Sequence, residues 1–194
     1  MDLSPLTLTG RFVRLEPLAE RHLDGIWEVA NDPSLWLFTV TRIASRADVD
    51  AWFERVRAEE QRGTTLAFAT VEAAGGRVVG STRFLNVSEH DLRAEIGGTF
   101  VGRPWQKTAV NTEAKYLMLR HAFERWGCVR VEFKTSLANL LSRQAILRLG
   151  AVEEGVLRRH TRLPDGSWRD TVYFSVLDSE WPRVRAALES RLAR

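Results

Sequence analysis

Residues 94–135 constrain this chain more than any other stretch. Ala94–Val101 (AEIGGTFV) reads as a strand. A helix beginning within 107–112 and carrying Ala114, Leu117, Met118 and Ala122 on one side comes next, then Val129–Thr135 as a second strand. A strand, a helix and a strand in that order permit a right-handed crossover, which would lay the two strands parallel. The other strand signals call for antiparallel pairs. Leu66–Glu72 and Arg77–Leu85 are joined through AAGG, and Glu154–Leu163 and Trp168–Leu177 flank Pro164-Asp165-Gly166. The expected fold is therefore mixed α/β, with a twisted, mostly antiparallel sheet, one splayed parallel strand pair and flanking helices. Where parallel strands part, their carboxyl ends open a cleft beside the entrance of the crossover helix, a favoured place for a ligand.

The remaining segments fit around that unit. LTLTGRFVRLE at 6–16 suggests strands about a Thr-Gly turn. Leu18, His22, Leu23, Ile26, Trp27 and Ala30 follow helical spacing up to Asn31-Asp32-Pro33. An apolar loop at 34–44 holds Trp36, Leu37 and Phe38, and Ser45 to Asp48 resembles a capping box that opens a helix through Val49, Trp52, Phe53 and Val56. Asn139–Leu149 reads as a short helix stopped by Gly150, and the last helix starts near Ser179 with Pro182 in its first turn. No repeat or low-complexity linker interrupts the 194 residues, so one domain over 1–194 is expected.

Composition excludes several classes. There is no apolar run of membrane-spanning length, and MDLSPLTLTG has neither a basic nor an apolar leader segment, so the expected setting is cytoplasmic, without a membrane partner. The lone Cys128 sits in a strand-like context and reads as a buried packing thiol. His22, His90, His121 and His160 show no metal-ligand spacing, so no metal is expected. A net charge of +3 tilts the surface towards acidic ligands. It does not announce nucleic acid, for which helix-turn-helix, zinc and aromatic-platform signatures are all missing, and no direct nucleic-acid binding is expected. Exposed strand edges and the amphipathic last helix are compatible with a homodimer.

The stretch PWQKTAVNTEA leads into the crossover helix. Helix entrances gather unpaired N–H groups and a positive partial charge, which together favour an anion. Gln106, Lys107, Thr108, Asn111 and Thr112 can add donors there. A plain helix start, with Thr108 or Asn111 as N-cap, an exposed Lys107 and Glu113 complementing the dipole, is the simpler reading of those residues alone.

AEIGGTFVGRPWQ, QKTAVNTEA, CVRVEFKT and NLLSRQAILRLGA stand in an order and spacing that resemble the GNAT superfamily of acetyl-CoA-dependent N-acetyltransferases, in particular its RimJ/RimL-like branch. The resemblance extends over most of residues 8–177. It implies that Gln106, Lys107, Thr108, Ala109, Val110, Asn111 and Thr112 bind the CoA pyrophosphate. Ala109 and Asn111 stand where the family's turn has small residues, chiefly glycine. Ala at the first of these is mild if its φ is negative and costs about 1–2 kcal/mol if the turn needs a left-handed residue.

The resemblance further implies that acetyl-CoA is the co-substrate. Its pantetheine arm would lie along 96–101, by way of Gly98, Phe100 and Val101, with Gly97-Gly98 free to form a bulge. Glu95 then stands as the expected general base, against a structural role beside Arg83 or Arg93. The family's proton-donating tyrosine position is Ile146 here, which leaves Ser142 or a water as the donor. Asn139 and Arg143 are expected at pantetheine or phosphate. Trp36, Phe38 and Tyr173 are candidates for the acceptor wall, and the acceptor is an amine, either on a small molecule or at a protein N-terminus. A non-catalytic acyl-CoA sensor, or an interaction module using the basic hairpin of Arg158, Arg159, His160, Arg162 and Arg169, on the same fold is the competing reading.

Overall fold

The computed structural model describes all of residues 1–194 as one eight-stranded sheet with helices on both faces. The strands are β1 (Leu8–Thr9), β2 (Val13–Pro17), β3 (Leu66–Glu72), β4 (Val78–Ser88), β5 (Arg93–Val101), β6 (Arg130–Ser136), β7 (Val152–Arg162) and β8 (Trp168–Leu177). Their order in the sheet is β1-β2-β3-β4-β5-β6-β8-β7. Every pair is antiparallel except β5 with β6. The helices are α1 (Leu23–Ala30), α2 (Arg46–Gln61), α3 (Ala109–Glu124), α4 (Leu140–Leu149) and α5 (Trp181–Leu192).

Alternation along the strands sorts the core into two layers. Leu66 and Phe68 of β3 pack in the layer that holds α3 and α5, whereas Ala67, Ala69 and Val71 pack against α1 and α2. β3 is consequently buried along almost its whole length, as expected for a strand covered on both faces. Ser45 caps α2 through a reciprocal capping box with Asp48, as its sequence suggests. Gly150 ends α4 in the left-handed region at φ 100°, where a side chain would be strained. β4 runs to Ser88, beyond the expected Leu85, because the hairpin with β5 continues to the Ser88–Arg93 pair.

Glu113 departs from its expected role. It does not merely face the helix dipole. It is buried, and its carboxylate accepts the N–H groups of Arg11, Phe12 and Val13 at 2.8, 2.6 and 2.8 Å. The turn between β1 and β2 is thereby tied to the first turn of α3, and that fixes the helix entrance.

Candidate active site

β5 and β6 pair over only three positions, ending at Glu95 opposite Glu132. Beyond that point β5 stays with β4 and β6 stays with β8, so the two parallel strands part. α3 follows β5 and α4 follows β6, so both helix entrances stand at the open end of the parting strands.

Three local features shape this opening. First, β5 bulges. Arg83 opposes Gly97 and Ser81 opposes Phe100, so Gly98 and Thr99 together face Thr82. Gly98 has φ 56°, and a Cβ there would lie 2.3 Å from Nε of Arg83. Only glycine fits this backbone above that guanidinium. The bulge reverses the face of the next residues, sending Phe100 into the α1–α2 layer while Thr99 turns towards α3.

Second, the turn before α3 is held by its own side chains. Thr108 is the N-cap, accepting from Val110 N–H at 3.3 Å and donating to Trp105 O at 2.7 Å. Gln106 donates its amide to Val101 O at 2.9 Å, latching the turn to the end of β5. The left-handed residue is Lys107, at φ 61°, and not Ala109, which is the first residue of α3. The anticipated strain at Ala109 is therefore absent. Asn111 and Thr112 lie in the first turn, with exposed Lys107 just ahead of them.

Third, Glu95 is buried at 1% exposure on the strand where the opening begins. Its Oε2 meets Lys134 Nζ at 2.9 Å and the amide of Asn86 at 2.9 Å, while Oε1 is buried with no partner. The expected structural partners are thus corrected. Arg83 pairs with Glu59 at 2.7 Å, and Arg93 reaches Asp91 and Glu132. An acceptor oxygen orphaned in this way is rare in folded proteins and invites a donor from outside the chain.

On the β6–α4 side, Asn139 caps α4 by accepting from Ser142 N–H at 3.1 Å, so both residues stand at that helix entrance. Arg143 is already engaged, with Nη2 on Glu153 at 3.1 Å, yet its Nε is buried without a partner. Asn111 Oδ1, in the first turn of α3, is likewise buried and unpaired. Tyr173 lies opposite Lys134 on β8, with its ring edge-on to His160. Arg169, half-buried on the same strand, makes no ion pair and reaches Phe38 O at 3.5 Å, which brings the 34–44 loop over this end. Burial is the main cause lowering the pKa of Arg169 from its ordinary value.

The topology thus places Glu95, Gly98, the 106–112 turn, Asn139, Ser142 and Arg143 at the end of the sheet where β5 and β6 part. It sends other expected contacts elsewhere. Trp36 is a core residue, its indole N–H donating to Ala30 O and its ring 5.2 Å from that of Phe100, so it does not line an acceptor wall. Phe100 and Val110 are also buried and offer the opening only backbone groups. Lys134 and Asn86 were not singled out by the sequence, because only strand pairing brings them to Glu95. Lys115 carried a sequence signal. It shares a helical stripe with Met118, Leu119 and Ala122, all fully buried.

A mostly antiparallel sheet with one parting parallel pair and a polar helix entrance at the parting is the arrangement of a GNAT-type α/β domain. Residues 13–152 match the acetyltransferase (GNAT) domain model, and the chain belongs to that family. A candidate acetyltransferase from T. thermophilus superposes with a TM-score of 0.90 at 39% identity, over 99% of this chain and 100% of that one. YdaF of Bacillus subtilis (strain 168), a candidate ribosomal N-acetyltransferase, is 29% identical over 106 residues, a match taking in 55% of this chain and 57% of that relative. Mycobacterium smegmatis RimJ, solved in complex with CoA-disulfide, shares the fold with a TM-score of 0.82 at 23% identity, over 97% of this chain and 96% of RimJ. No helix is long and apolar enough to cross a membrane, and no cluster of His, Cys, Asp and Glu is arranged to hold a metal ion.

Proposed function

We propose that this acetyltransferase-family protein moves an acetyl group from acetyl-CoA to a primary amine, by direct transfer with both substrates bound. The observation that carries the reading is Glu95, whose orphaned Oε1 stands where β5 and β6 part, while α3 presents its entrance along the same opening. RimJ's complex with CoA-disulfide and the ribosomal description of YdaF support CoA as the carrier and an amine on a protein as the acceptor, which we take to be an N-terminal α-amine.

Acetyl-CoA supplies an activated thioester carbonyl. The chain's residues fit such a molecule, because Asn111 Oδ1 in the first turn of α3 and Arg143 Nε in α4 are buried polar atoms with no partner. The first turn of α3 offers backbone N–H groups to the pyrophosphate, and Lys107 adds a mobile positive charge. The bulge at Gly97-Gly98 leaves strand backbone open for the pantetheine arm, with Gly98 and Thr99 exposed.

The attacking amine must be neutral, and an α-amine with a pKa near 8 is close to neutral already. Glu95 Oε1 accepts its proton directly or through a water, while Lys134 and Asn86 hold Oε2 in place. Ser142, at the entrance of α4, offers its hydroxyl as a hydrogen-bond donor to the departing sulfur without itself giving up the proton. Phe38 and Tyr173 face the acceptor.

Calorimetric titration with acetyl-CoA tests the reading. A stoichiometric Kd near or below roughly 100 µM, about −5.5 kcal/mol, is the expected result. No binding at millimolar acetyl-CoA refutes it. Glu95→Gln is then expected to slow turnover by about 10²-fold with acetyl-CoA affinity within a factor of two or so. Unchanged turnover removes Glu95 from the mechanism.

A further inference from the structure

Lys115 is a buried amine that the mechanism above leaves unused. It lies in the second turn of α3 at 5% exposure, and no carboxylate comes within ion-pairing distance. Its Nζ instead meets two hydroxyls, Thr82 Oγ1 at 2.7 Å and Thr99 Oγ1 at 2.5 Å, which are themselves 2.8 Å apart. Thr82 is buried, whereas Thr99 belongs to the exposed side of the β5 bulge. Thr99 Oγ1, which also donates to Gly97 O at 3.4 Å, therefore lies between a sealed amine and the exposed side of the bulge. Without the reversal of faces at Gly98, Thr99 would point away from α3.

The surrounding charges are directed elsewhere. On α3, Glu113 holds the β1–β2 turn and Tyr116 donates to Glu189. On β4 and β5, Arg83 and Glu95 lie with Glu59 and Lys134. Burial alone thus sets the state of Lys115, and it depresses the pKa from 10.5 to about 7. Ser142 has no such reservoir, because no ionisable side chain hydrogen-bonds to it. An isolated hydroxyl is too weak an acid to release a proton unless another group replaces that proton.

We propose that Lys115 acts through Thr99 as a proton reserve for the departing thiolate, which makes it a positioning residue for the transfer reaction. The proposal rests on the acetyl-CoA reading of the same opening. As the C–S bond breaks, its electron pair remains on sulfur and the sulfur takes the Thr99 Oγ1 proton. Lys115 Nζ, entering as the ammonium, returns a proton to Thr99 and is left neutral. The proton lost by the acceptor amine goes to Glu95, and solvent restores Lys115 between turnovers.

Two variants test this, Lys115→Met, which matches the length of the side chain, and Thr99→Val at the exposed hydroxyl. The chain has lysines only at 107, 115 and 134, so side-chain NMR of isotope-labelled lysine resolves each amine. The expected spectra show one amine titrating near neutrality, absent from Lys115→Met, displaced by Thr99→Val and perturbed on adding acetyl-CoA. Thiol release from acetyl-CoA, measured with water and with a panel of N-terminal peptides as acceptors, is expected to fall above neutral pH in the wild type. In Lys115→Met and Thr99→Val it is expected to be at least tenfold slower and to lack that fall, with the acetyl-CoA Kd unchanged. Ser142→Ala is expected to retain the pH dependence.

The relay is overturned if Lys115 titrates as an ordinary lysine, if acetyl-CoA leaves its signal unmoved, or if either variant keeps the wild-type pH profile. Should Lys115→Met lose its fold, Thr99→Val decides alone. A wild type that binds no acetyl-CoA overturns the proposed function and the relay together. A wild type that binds it while both variants behave normally overturns only the relay.

Discussion

Lys115, Glu95 and Glu113 are each buried and ionisable, and each is satisfied differently. Glu113 accepts three backbone N–H groups and needs no cation. Glu95 has Lys134 and keeps one oxygen free. Lys115 has only hydroxyls, and its depressed pKa carries a definite sign for stability. Between about 7 and 10.5 the unfolded chain holds a proton that the folded chain has lost, so stability should rise with pH through that window. Below it the buried amine costs several kcal/mol, since one pKa unit is about 1.4 kcal/mol. Lys115→Met is therefore expected to raise the Tm at pH 6–7 and to flatten the pH dependence, as followed by thermal melts. Ala109→Gly is expected to leave acetyl-CoA affinity within about threefold and to weaken α3 by no more than about 1 kcal/mol, because the left-handed position of this turn is occupied by Lys107.

Between elements, the joints matter more than any single segment. The β1–β2 turn and α3 are held together by one carboxylate. Glu113→Ala would orphan three N–H groups, including that of buried Val13, and is expected to cost about 2–4 kcal/mol in urea unfolding. The β4–β5 hairpin carries the bulge. Gly98→Ala must place a side chain in the left-handed region and against Arg83. A loss of about 2–3 kcal/mol is expected, together with weaker acetyl-CoA binding in calorimetry. A variant of unchanged stability and affinity would show that the bulge relaxes freely. β7, at the free edge of the sheet, is irregular opposite β8 between Glu153 and Gly155 and again between Leu157 and Thr161. Such interruptions, with charged residues along the strand, keep an edge from pairing with another chain.

Taken whole, the molecule offers one native probe of global opening. Cys128 is 2% exposed, and burial raises its thiol pKa to about 11. Its reaction with a disulfide reagent at neutral pH is expected to be slow in the folded protein and to follow the unfolding transition in urea. Fast labelling without denaturant would show that the loop before β6 opens locally. Light scattering, which measures whether the mass departs from 22.1 kDa, tests the dimer that the exposed edges and the last helix suggested.

The sequence by itself determined the elements and their handedness. Period, turn residues and one crossover required a mostly antiparallel sheet with a single parallel pair, and the observed strands and helices follow. These are local or nearest-neighbour matters, decided by side-chain alternation, capping and chain connectivity. The family resemblance carried by the order of motifs further proposed the helix entrance, Glu95 and Asn139–Ser142 as parts of one site. Only the tertiary structure decided which side chains meet across strands. Lys134 reaches Glu95 because β6 lies beside β5, Trp36 is withdrawn into the core by Phe100, and Thr99 reaches Lys115 because a bulge turns it over. Strand register and bulge position depend on contacts distant in sequence, and a shift of one residue exchanges the two faces of a strand. The charge states in the site follow from that packing, because burial and partners set them, and neither is written in the spacing of residues along the chain.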